Sequence, residues 1–454
     1  MLPLLARNIV LPAMEAILRR DTFACLRRIR KEQWLSPDEI REIQLARLRE
    51  LVCASLARTS AYQHLANVPR DWQPNVLEEM RQLPLLDKSI LTLHREGLIN
   101  VDVPGGPIRY TTGGSSGQPL IFFFDKRRQA VDKAARMLTH EWWGVRPGDR
   151  EAYLWGSPVE LSRQDRLKQL RDWMINDMLL PAFDLSEAVV PQFIAKLRRF
   201  RPACLFGYPS SITLMCQVAR RLGLRMDDLG ISVVFSTAEV LYDHQKQVIS
   251  ETLGGVPVVN GYGSREGGFI AHECPAGSMH IMSTDVIVEF IQDGKAVEDG
   301  QDGEIVVTHL ANYAMPFIRY RTGDIGQPSN SRCSCGRSLQ LMKSLKGRTT
   351  DFVVTPDGRW VHGLGLIYAI REIPGVMKYQ VLQSDVDSVE VRLVVDDQFA
   401  PQSAEAIESS ISSRLGPQVR VAVSLIDAIA EDASGKYRYV ISKVARDLQR
   451  RYER

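Results

Sequence analysis

The segment at residues 110–119 constrains the fold of this chain more than any other. It reads Tyr-Thr-Thr-Gly-Gly-Ser-Ser-Gly-Gln-Pro, and so holds three glycines and four Ser or Thr hydroxyls. Glycines let the backbone approach a ligand closely, and backbone N–H groups and hydroxyls donate hydrogen bonds to phosphate oxygens. The segment lacks the lysine of a P-loop, so it is not that motif. Its composition alone leaves two interpretations, a phosphate-binding loop or a flexible polar linker.

The residues on either side of this glycine–hydroxyl loop favour the first interpretation. Residues 108–110 precede the loop and residues 120–124 follow it, and both runs are short, apolar and aromatic. Runs of this kind predict buried strands. The order of strand, glycine–hydroxyl turn and strand is therefore expected.

The bulk properties narrow the class of protein. A length of 454 residues predicts two to four domains. The 57 basic and 54 acidic residues give a net charge of +3, which is no basis for predicting nucleic-acid or membrane binding. No apolar run approaches the ~20 residues of a membrane helix, and the amino-terminal apolar stretch is too short for a signal peptide. Seven cysteines in such a chain indicate a reducing compartment, so we expect a cytoplasmic location.

The first hundred residues are predicted to be mainly helical. Ser36 followed by Pro37 is typical of a helix start, with serine as N-cap and proline in the first turn. The amphipathic stretch at residues 9–18 is expected to be a packed surface helix, with contact to an anionic membrane as the alternative. From 106 to 325, strands alternate with helical segments, which predicts α/β units, and residues 285–308 are rich in strands.

A domain boundary is predicted near residue 346. It would separate an N-terminal domain of residues 1–346 from a C-terminal domain of residues 347–454. The second domain is expected to be a small α+β unit, because strand patterns at 389–395 and 419–423 flank a helical pattern at 401–414.

Five motifs in a fixed order carry a resemblance to a known family. The glycine–hydroxyl loop resembles the phosphate-binding loop of the adenylate-forming superfamily, which includes acyl-CoA synthetases, nonribosomal-peptide adenylation domains and luciferases. Segments 260–268, 320–324, 346–351 and 434–438 resemble that superfamily's adenylate, ribose, hinge and catalytic-lysine motifs. Leu120 stands where many members have lysine, a difference typical of the phenylacetate-CoA ligase and CapK-like branch.

The resemblance covers nearly the whole chain and implies both fold and function. The implied fold is α/β, with a large N-terminal adenylate-forming domain and a small mobile α+β C-terminal domain. The implied activity is that of an ATP-dependent ligase that converts a carboxylic acid, aryl or small, into an acyl-adenylate and passes the acyl group to coenzyme A or another thiol or amine. Alternatives are an amide or ester ligase of polysaccharide or secondary-metabolite biosynthesis that does not use coenzyme A, or a non-catalytic nucleotide-binding homologue. The implied assembly is a monomer or homodimer.

The same resemblance implies roles for individual residues. Lys436, Glu266 and Ser264 are expected to be catalytic: Lys436 supplies positive charge, Glu266 binds Mg²⁺ and Ser264 contacts the α-phosphate. Tyr262 is expected to stack on adenine, and Asp324 to accept hydrogen bonds from the ribose hydroxyls. The other expected nucleotide contacts are Thr111, Thr112, Gly113, Gly114, Ser115, Ser116, Gly117, Ser236, Ala238, Glu239, Gly263 and Arg348.

Two parts of the resemblance are incomplete. Thr350 occupies a hinge position where the superfamily has aspartate, so the resemblance supports adenylation more fully than domain rotation and coenzyme A docking. The aromatic segments at residues 155–158 and 206–210 occur where relatives line the acyl pocket, and on sequence grounds they fit the core equally well.

A second group of residues is independent of the nucleotide. Cys333 and Cys335 form a Cys-x-Cys-Gly turn, and Cys274 precedes His280 by six residues. Three thiolates and an imidazole would complete a tetrahedral, structural Zn²⁺ site. The spacing differs from that of common zinc fingers, so free buried cysteines are the alternative, and His272 competes as fourth ligand. The remaining cysteines lie in apolar runs and are expected in the core: Cys25, Cys53, Cys204 and Cys216.

Overall fold

The structure is a computed structural model of the whole chain. It describes residues 2–111, 120–155, 171–182, 188–348, 352–357, 360–362, 366–367, 369–370, 373–429 and 438–445. The chain divides into two compact units, one formed by residues 1–322 and 326–345, the other by residues 323–325 and 346–454. Among the described residues, no helix combines the length and the apolar character that crossing a bilayer demands.

The first hundred residues are mainly helical, as predicted. The helices are α1 (Pro3–Leu5), α2 (Leu11–Ile17), α3 (Thr22–Glu32), α4 (Pro37–Arg58), α5 (Ser60–Leu65), α6 (Lys88–Leu93) and α7 (Arg95–Leu98), with a π-helical turn at Ala6–Val10 and a 3₁₀ turn at Leu77–Gln82. The predicted start of α4 is confirmed. The Ser36 hydroxyl accepts from the Glu39 N–H at 3.3 Å, and the Glu39 carboxylate accepts from the Ser36 N–H at 2.8 Å. This reciprocal cap satisfies two N–H groups that the helix leaves free.

The predicted packing of the amino-terminal apolar residues is wrong in part. Leu11 is buried, but Ile17 and Leu18 of the same stretch are exposed. The inward face of α2 instead carries Glu15, which is buried and accepts a hydrogen bond from Lys133 Nζ at 2.6 Å. An ion pair occupies the position at which apolar contacts were expected.

Most strands belong to one mixed sheet of twelve. They are β3 (Glu151–Trp155), β4 (Asp177–Pro181), β5 (Cys204–Gly207), β6 (Val233–Thr237), β7 (Val258–Ser264), β8 (Gly268–Glu273), β9 (Met279–Ile281), β10 (Val286–Gln292), β11 (Lys295–Ala296), β12 (Gly303–His309), β13 (Tyr320–Ser329) and β14 (Leu341–Arg348). Their order is β11-β10-β12-β13-β14-β9-β8-β7-β6-β5-β3-β4. Strands β4, β3, β5, β6 and β7 pair in parallel, whereas β7–β8, β8–β9 and β9–β14 pair antiparallel.

Four longer helices accompany this sheet. They are α8 (Lys126–Glu141), α9 (Val190–Phe200), α10 (Pro209–Arg221) and α11 (Asp243–Thr252). Apolar side chains of α9, α10 and α11 form one core with those of the parallel strands, including Ile194, Ile212 and Ile249. Burial of both faces is what makes parallel strands read as continuous apolar runs.

The two strands predicted around the glycine–hydroxyl loop are confirmed. Strand β1 (Ile108–Thr111) pairs antiparallel with β2 (Ile121–Phe124), with Ile108 opposite Phe124. The predicted burial of β1 is wrong, because its residues from Arg109 onward are exposed. Strand β2 reaches the core through the buried rings of Phe122 and Phe124, whereas β1 packs against that core only through the half-buried Ile108.

The prediction that four cysteines lie in the core is also confirmed only in part. All seven cysteines are free thiols. Cys204 and Cys216 are fully buried, as predicted, whereas Cys25 and Cys53 are only half-buried.

The C-terminal unit is a small α+β domain. Its elements are β15 (Phe352–Val354), β16 (Trp360–His362), β17 (Val376–Asp385), β18 (Ser388–Val395), α12 (Gln402–Leu415), β19 (Arg420–Leu425) and β20 (Val440–Ser442). A four-stranded sheet has the order β19-β18-β17-β20, with β17 and β18 antiparallel and the outer strands parallel to their neighbours. The predicted strands and intervening helix are therefore confirmed, as is the α/β class with a large N-terminal and a small C-terminal domain.

Candidate functional site

The carboxyl ends of the parallel strands bring several predicted segments to one edge of the sheet. Strand β3 ends at Trp155, β5 is followed by Tyr208, β6 leads into residues 237–239, and β7 ends at Ser264. In open α/β sheets, ligands bind outside the carboxyl ends of parallel strands. This edge is therefore the candidate active site of the N-terminal unit.

Two polar atoms are buried at this edge, on neighbouring strands. Ser236 on β6 lies opposite Asn260 on β7 in the strand register. The Ser236 hydroxyl and the Asn260 Oδ1 atom are both buried, and neither makes a hydrogen bond within the described part of the chain. Burying polar atoms without partners costs free energy, so a ligand that donates to Asn260 and pairs with Ser236 would be favoured. The amino group and ring nitrogens of adenine fit this requirement.

The chain turns sharply after β6. Ala238 has a φ of +70°. This left-handed conformation is unfavourable for any residue that carries a Cβ atom. The Glu239 carboxylate accepts a hydrogen bond from the Ser210 N–H at 3.2 Å, which joins this turn to the start of α10. The predicted adenine segment is thus held in place at the sheet edge.

Tyr262 is buried more deeply than stacking on a bound adenine would require. Its side chain belongs to an apolar cluster that includes Ile270 and Ile281, and only 7% of the residue is exposed. Its hydroxyl donates to Thr322 Oγ1 at 3.4 Å. At Gly263, the next residue, an added Cβ would lie 2.6 Å from the Gly268 carbonyl oxygen, so the two strands meet too closely for a side chain. Stacking of Tyr262 on adenine stays a prediction.

The turn between β7 and β8 carries the two predicted catalytic residues of this unit. The Ser264 hydroxyl accepts a hydrogen bond from the Gly267 N–H at 2.8 Å, which closes the turn. Glu266 is only 7% exposed, and its carboxylate has no hydrogen-bond or ion-pair partner among the residues that the structure describes. A carboxylate that no described cation neutralises is free to bind a hard divalent cation such as Mg²⁺, which prefers oxygen ligands. Glu266 therefore fits the expected role of magnesium ligand.

Two side chains of helix α8 hold the turn between β7 and β8 in place. Arg128 donates from Nη2 to the carbonyl oxygen of Arg265 at 2.6 Å, and its Nε atom lies 3.4 Å from Asp132 Oδ2. Asp132 Oδ1 accepts a hydrogen bond from the Phe269 N–H at 3.0 Å, just past the turn. One side chain of α8 thus holds each side of the turn that contains Glu266.

His309 of β12 completes this brace. Its Nδ1 atom accepts from the Ala311 N–H at 3.2 Å, so the proton lies on Nε2, which donates to Asp132 Oδ1 at 3.1 Å. Burial raises the pKa of Asp132, but His309, Arg128 and the Phe269 N–H outweigh it and lower that pKa to about 2. Asp132 therefore stays ionised as an acceptor throughout the physiological pH range.

Arg265 connects the turn to the glycine–hydroxyl loop. Its Nη1 atom donates to the Thr111 carbonyl oxygen at 2.9 Å, and its guanidinium lies 5.5 Å from the ring centroid of Tyr110. Thr111 is the last described residue before the loop. The remaining predicted loop contacts lie outside the described residues: Thr112, Gly113, Gly114, Ser115, Ser116 and Gly117.

The other predicted nucleotide contacts belong to the second unit. Asp324 is buried in β13, within the short stretch that groups with the C-terminal unit, and Arg348 ends β14. Lys436 and the hinge position Thr350 lie outside the described residues. The roles of these four residues remain predictions.

Aromatic side chains line the sheet edge next to the adenine segment. The rings of Trp155 and Tyr208 stack with their centroids 4.2 Å apart and an interplanar angle of 17°. Phe206 lies 5.5 Å from Trp155. This apolar surface would suit the hydrocarbon part of a substrate.

The predicted zinc ligands also come together, at a separate place. The ligand atoms of Cys274, His280, Cys333 and Cys335 all lie within 4.8 Å of one another. His272, the competing histidine, is not part of this group. Its Nδ1 atom lies 3.1 Å from the Glu273 carbonyl oxygen instead.

Sequence reasoning missed five residues that build the site. Asn260 and Arg265 lie inside a recognised motif, but the position of Asn260 opposite Ser236 and the contact of Arg265 with Thr111 required the folded structure. For the others, no local signal exists beyond the four-residue spacing of an arginine and an aspartate on one helix. They are Arg128, Asp132 and His309.

The fold is that of coenzyme A ligases of known structure. A crystal structure of 2-hydroxyisobutyryl-CoA ligase in the postadenylation state, in complex with R3-HIB-AMP, matches 92% of this chain and 93% of that one, with a TM-score of 0.73 and 20% identity.

Within that class, sequence relatives point to a particular branch. Residues 353–443 match the CapK C-terminal domain. Protein CapK of Staphylococcus aureus is 24% identical over 343 residues, which is 74% of each chain. The phenylacetate-coenzyme A ligase of Thermus thermophilus is 25% identical over 395 residues, covering 83% of this chain and 86% of the relative. The resemblance to the adenylate-forming superfamily, and to its phenylacetate-CoA ligase and CapK-like branch, is confirmed.

Proposed function

We propose that this protein is an ATP-dependent carboxylic-acid ligase that forms an acyl-adenylate. One observation carries the proposal: the turn between β7 and β8 holds Glu266, a residue only 7% exposed whose carboxylate has no ion-pair partner in the described ranges, at the sheet edge where ligands of such folds bind. The fold shared with 2-hydroxyisobutyryl-CoA ligase supports the same activity.

In the first half-reaction, an oxygen of the substrate carboxylate attacks the α-phosphorus of ATP. A new oxygen–phosphorus bond forms, the bond to the β-phosphate breaks, and pyrophosphate leaves. Magnesium, when bound, would neutralise charge on the phosphate oxygens, and Glu266 would hold it. Asn260 would accept from the adenine amino group, and Lys436 would supply positive charge to the carboxylate and the α-phosphate. Arg265 and Arg128 would position the turn rather than touch the reacting atoms.

The substrate acid is proposed to be aryl or small. The half-buried rings of Trp155 and Phe206, whose centroids lie 5.5 Å apart, offer apolar surface at the sheet edge, and Tyr208, only 4% exposed, supports Trp155 from the core. A planar ring would bury its faces against such a surface, whereas a long flexible chain would lose more conformational entropy there.

In the second half-reaction, a nucleophile displaces AMP from the acyl carbon and loses its proton. A thiol, of coenzyme A or a carrier protein, is the first candidate acceptor. An amine or hydroxyl acceptor is the second. One sequence observation favours it: the hinge has Thr350 where the coenzyme A ligases that this chain resembles have an aspartate.

Pyrophosphate–ATP exchange across a panel of aryl and small carboxylic acids tests the first half-reaction. We expect exchange with at least one acid and release of AMP. Glu266→Gln should lower the exchange rate by about 10²-fold or more and raise the magnesium concentration needed for half-maximal rate. Glu298→Gln, at an exposed position between β11 and β12, is the matched control and should exchange normally. An unaffected Glu266→Gln variant, or release of ADP, would overturn the proposal.

A further inference from the structure

We infer that Cys274, His280, Cys333 and Cys335 bind one structural zinc ion. The inference is independent of the proposed ligase activity. Their four ligand atoms lie within 4.8 Å of one another, although the chain separates the two halves of the group by more than fifty residues. Two contacts define the cluster: Cys274 Sγ lies 3.6 Å from Cys333 Sγ, and Cys335 Sγ lies 3.2 Å from His280 Nε2.

The sulfur–sulfur distance of 3.6 Å matches the edge of a zinc tetrahedron, and the sulfur–nitrogen distance of 3.2 Å is slightly shorter than such an edge. With Zn–S bonds of about 2.3 Å and Zn–N bonds of about 2.0 Å, tetrahedral geometry separates neighbouring ligand atoms by roughly 3.5–3.8 Å. A disulfide requires a sulfur–sulfur distance of about 2.05 Å, so the cysteines Cys274 and Cys333 are too far apart to be bonded. A single disulfide would also leave the Cys335 thiol and the His280 ring packed together without a role.

The backbone presents the cysteines as zinc sites commonly do. Two similar turns carry them, one beginning at Cys274 and the other at Cys333. In each, the glycine three residues later donates its N–H to the cysteine carbonyl oxygen, at 2.8 Å for Gly277 and 3.1 Å for Gly336. Both glycines have φ near +80°, at +79° and +81°. The Cys335 N–H also donates to Cys333 Sγ at 3.5 Å, which would stabilise a thiolate there.

The histidine is oriented by a second contact. His280 Nδ1 lies 3.4 Å from the carbonyl oxygen of Leu339, so a proton on Nδ1 leaves Nε2 free to face the sulfur atoms. A carbonyl partner on the distal nitrogen is the usual arrangement for a metal-bound imidazole. His272 Nδ1 also lies 3.1 Å from a carbonyl oxygen, that of Glu273, but its ring stacks on Phe269 at 5.8 Å and 13°, and His272 is not part of the cysteine group.

The ligand set identifies the metal and its role. Three thiolates and one imidazole are soft ligands that favour zinc, and together they fill a tetrahedral shell without an open position. The ion would join the β8–β9 connection to the segment that precedes β14. That segment packs on the first helices, because the Ser338 N–H donates to the Gln33 carbonyl oxygen at 3.1 Å. Zinc would therefore hold together parts of the N-terminal unit distant in sequence.

Metal analysis of the full-length protein, purified without chelators, is the primary test. We expect about one zinc per chain. Removal by a strong chelator should lower the melting temperature by at least about 5 °C, and added zinc should restore it. Replacement by Co²⁺ should give the intense near-ultraviolet bands of cobalt–thiolate bonds and visible bands of tetrahedral Co²⁺.

Two pairs of variants locate the site. Cys333→Ser should lose the zinc, whereas Cys53→Ser, at a half-buried cysteine of α4, should retain it. His280→Gln should lose or weaken binding, whereas His272→Gln should keep the stoichiometry. If Cys333→Ser does not fold, the zinc content and the cobalt spectrum of the unmodified protein still decide the matter. Protein that binds no zinc at micromolar free metal, that holds iron instead, or that retains zinc in Cys333→Ser would overturn the inference.

Discussion

Replacing Gly268 by alanine tests how tightly helix α8 braces the turn that carries Glu266. Gly268 begins β8 with a φ of +78°. A Cβ atom there would lie 2.6 Å from Asp132 Oδ1 and 2.7 Å from His309 Nε2. The added methyl group therefore meets the two partners of the brace, in a backbone conformation that disfavours a side chain.

The expected loss in free energy of unfolding caused by Gly268→Ala has two parts. The left-handed backbone costs alanine about 1–2 kcal/mol relative to glycine. Displacing Asp132 and His309 adds the cost of overpacking, about 1–3 kcal/mol. Gly268→Ala should therefore lower the free energy of unfolding by about 2–5 kcal/mol. Because the displaced carboxylate also holds the Phe269 N–H, the turn should shift and the pyrophosphate exchange rate should fall.

Gly294→Ala is the matched control. Gly294 has a φ of +76° in the β10–β11 turn. No atom of the described residues lies within 4 Å of the position that an added Cβ would take, so only the backbone cost of about 1–2 kcal/mol applies. Urea unfolding of both variants, followed by the fluorescence of the N-terminal unit's tryptophans, measures the difference. If Gly268→Ala is no less stable than Gly294→Ala and exchanges at the normal rate, the brace does not hold the turn.

Three further predictions follow from the charged and hinge residues. Asp132 has a folded pKa of about 2, against 3.8 for an ordinary aspartate carboxyl. Its ionised form therefore adds about 2 kcal/mol to the free energy of unfolding, which is fully present above pH 3.8 and is lost as the pH falls through 2. In urea unfolding at falling pH, Asp132→Asn should lose less stability than the unmodified protein. Lys436→Ala should slow pyrophosphate exchange by orders of magnitude while calorimetry shows ATP binding largely kept, and normal exchange would refute its role. Thr350→Pro, which fixes φ near about −65°, should keep exchange but block acyl transfer, and an equal loss of both half-reactions would move the pivot elsewhere.

Features that depend on neighbouring residues were predictable from the sequence. The start of α4 follows from the chemistry of Ser36, Pro37 and Glu39 within four positions. The β10–β11 turn follows from Asp293 and Gly294, which take φ values of +50° and +76°. The zinc-ligand residues were predictable as types, because each pair lies within a short segment.

Features that depend on distant residues were not predictable. The choice of His280 over His272 required the position of both rings in the folded sheet. The exposure of β1 reflects how the strand is placed in the fold, which no local pattern in residues 108–111 encodes. The partners of Arg128 and Asp132 lie on strands far along the chain, and an arginine and an aspartate on a helix are more often solvated surface charges.

The brace around the turn that carries Glu266 has a consequence for folding. Arg128 and Asp132 each reach a partner 137 residues further on, and the contact between Asp132 and His309 spans 177 residues. Closing such long loops is costly in entropy and slow, so these contacts form only after the strands between them have assembled. A nascent chain that has emerged as far as β8 would contain Glu266 and its whole turn, but not the histidine that completes the support. Enzymatic competence would then be acquired late in synthesis, after β12 has joined the sheet.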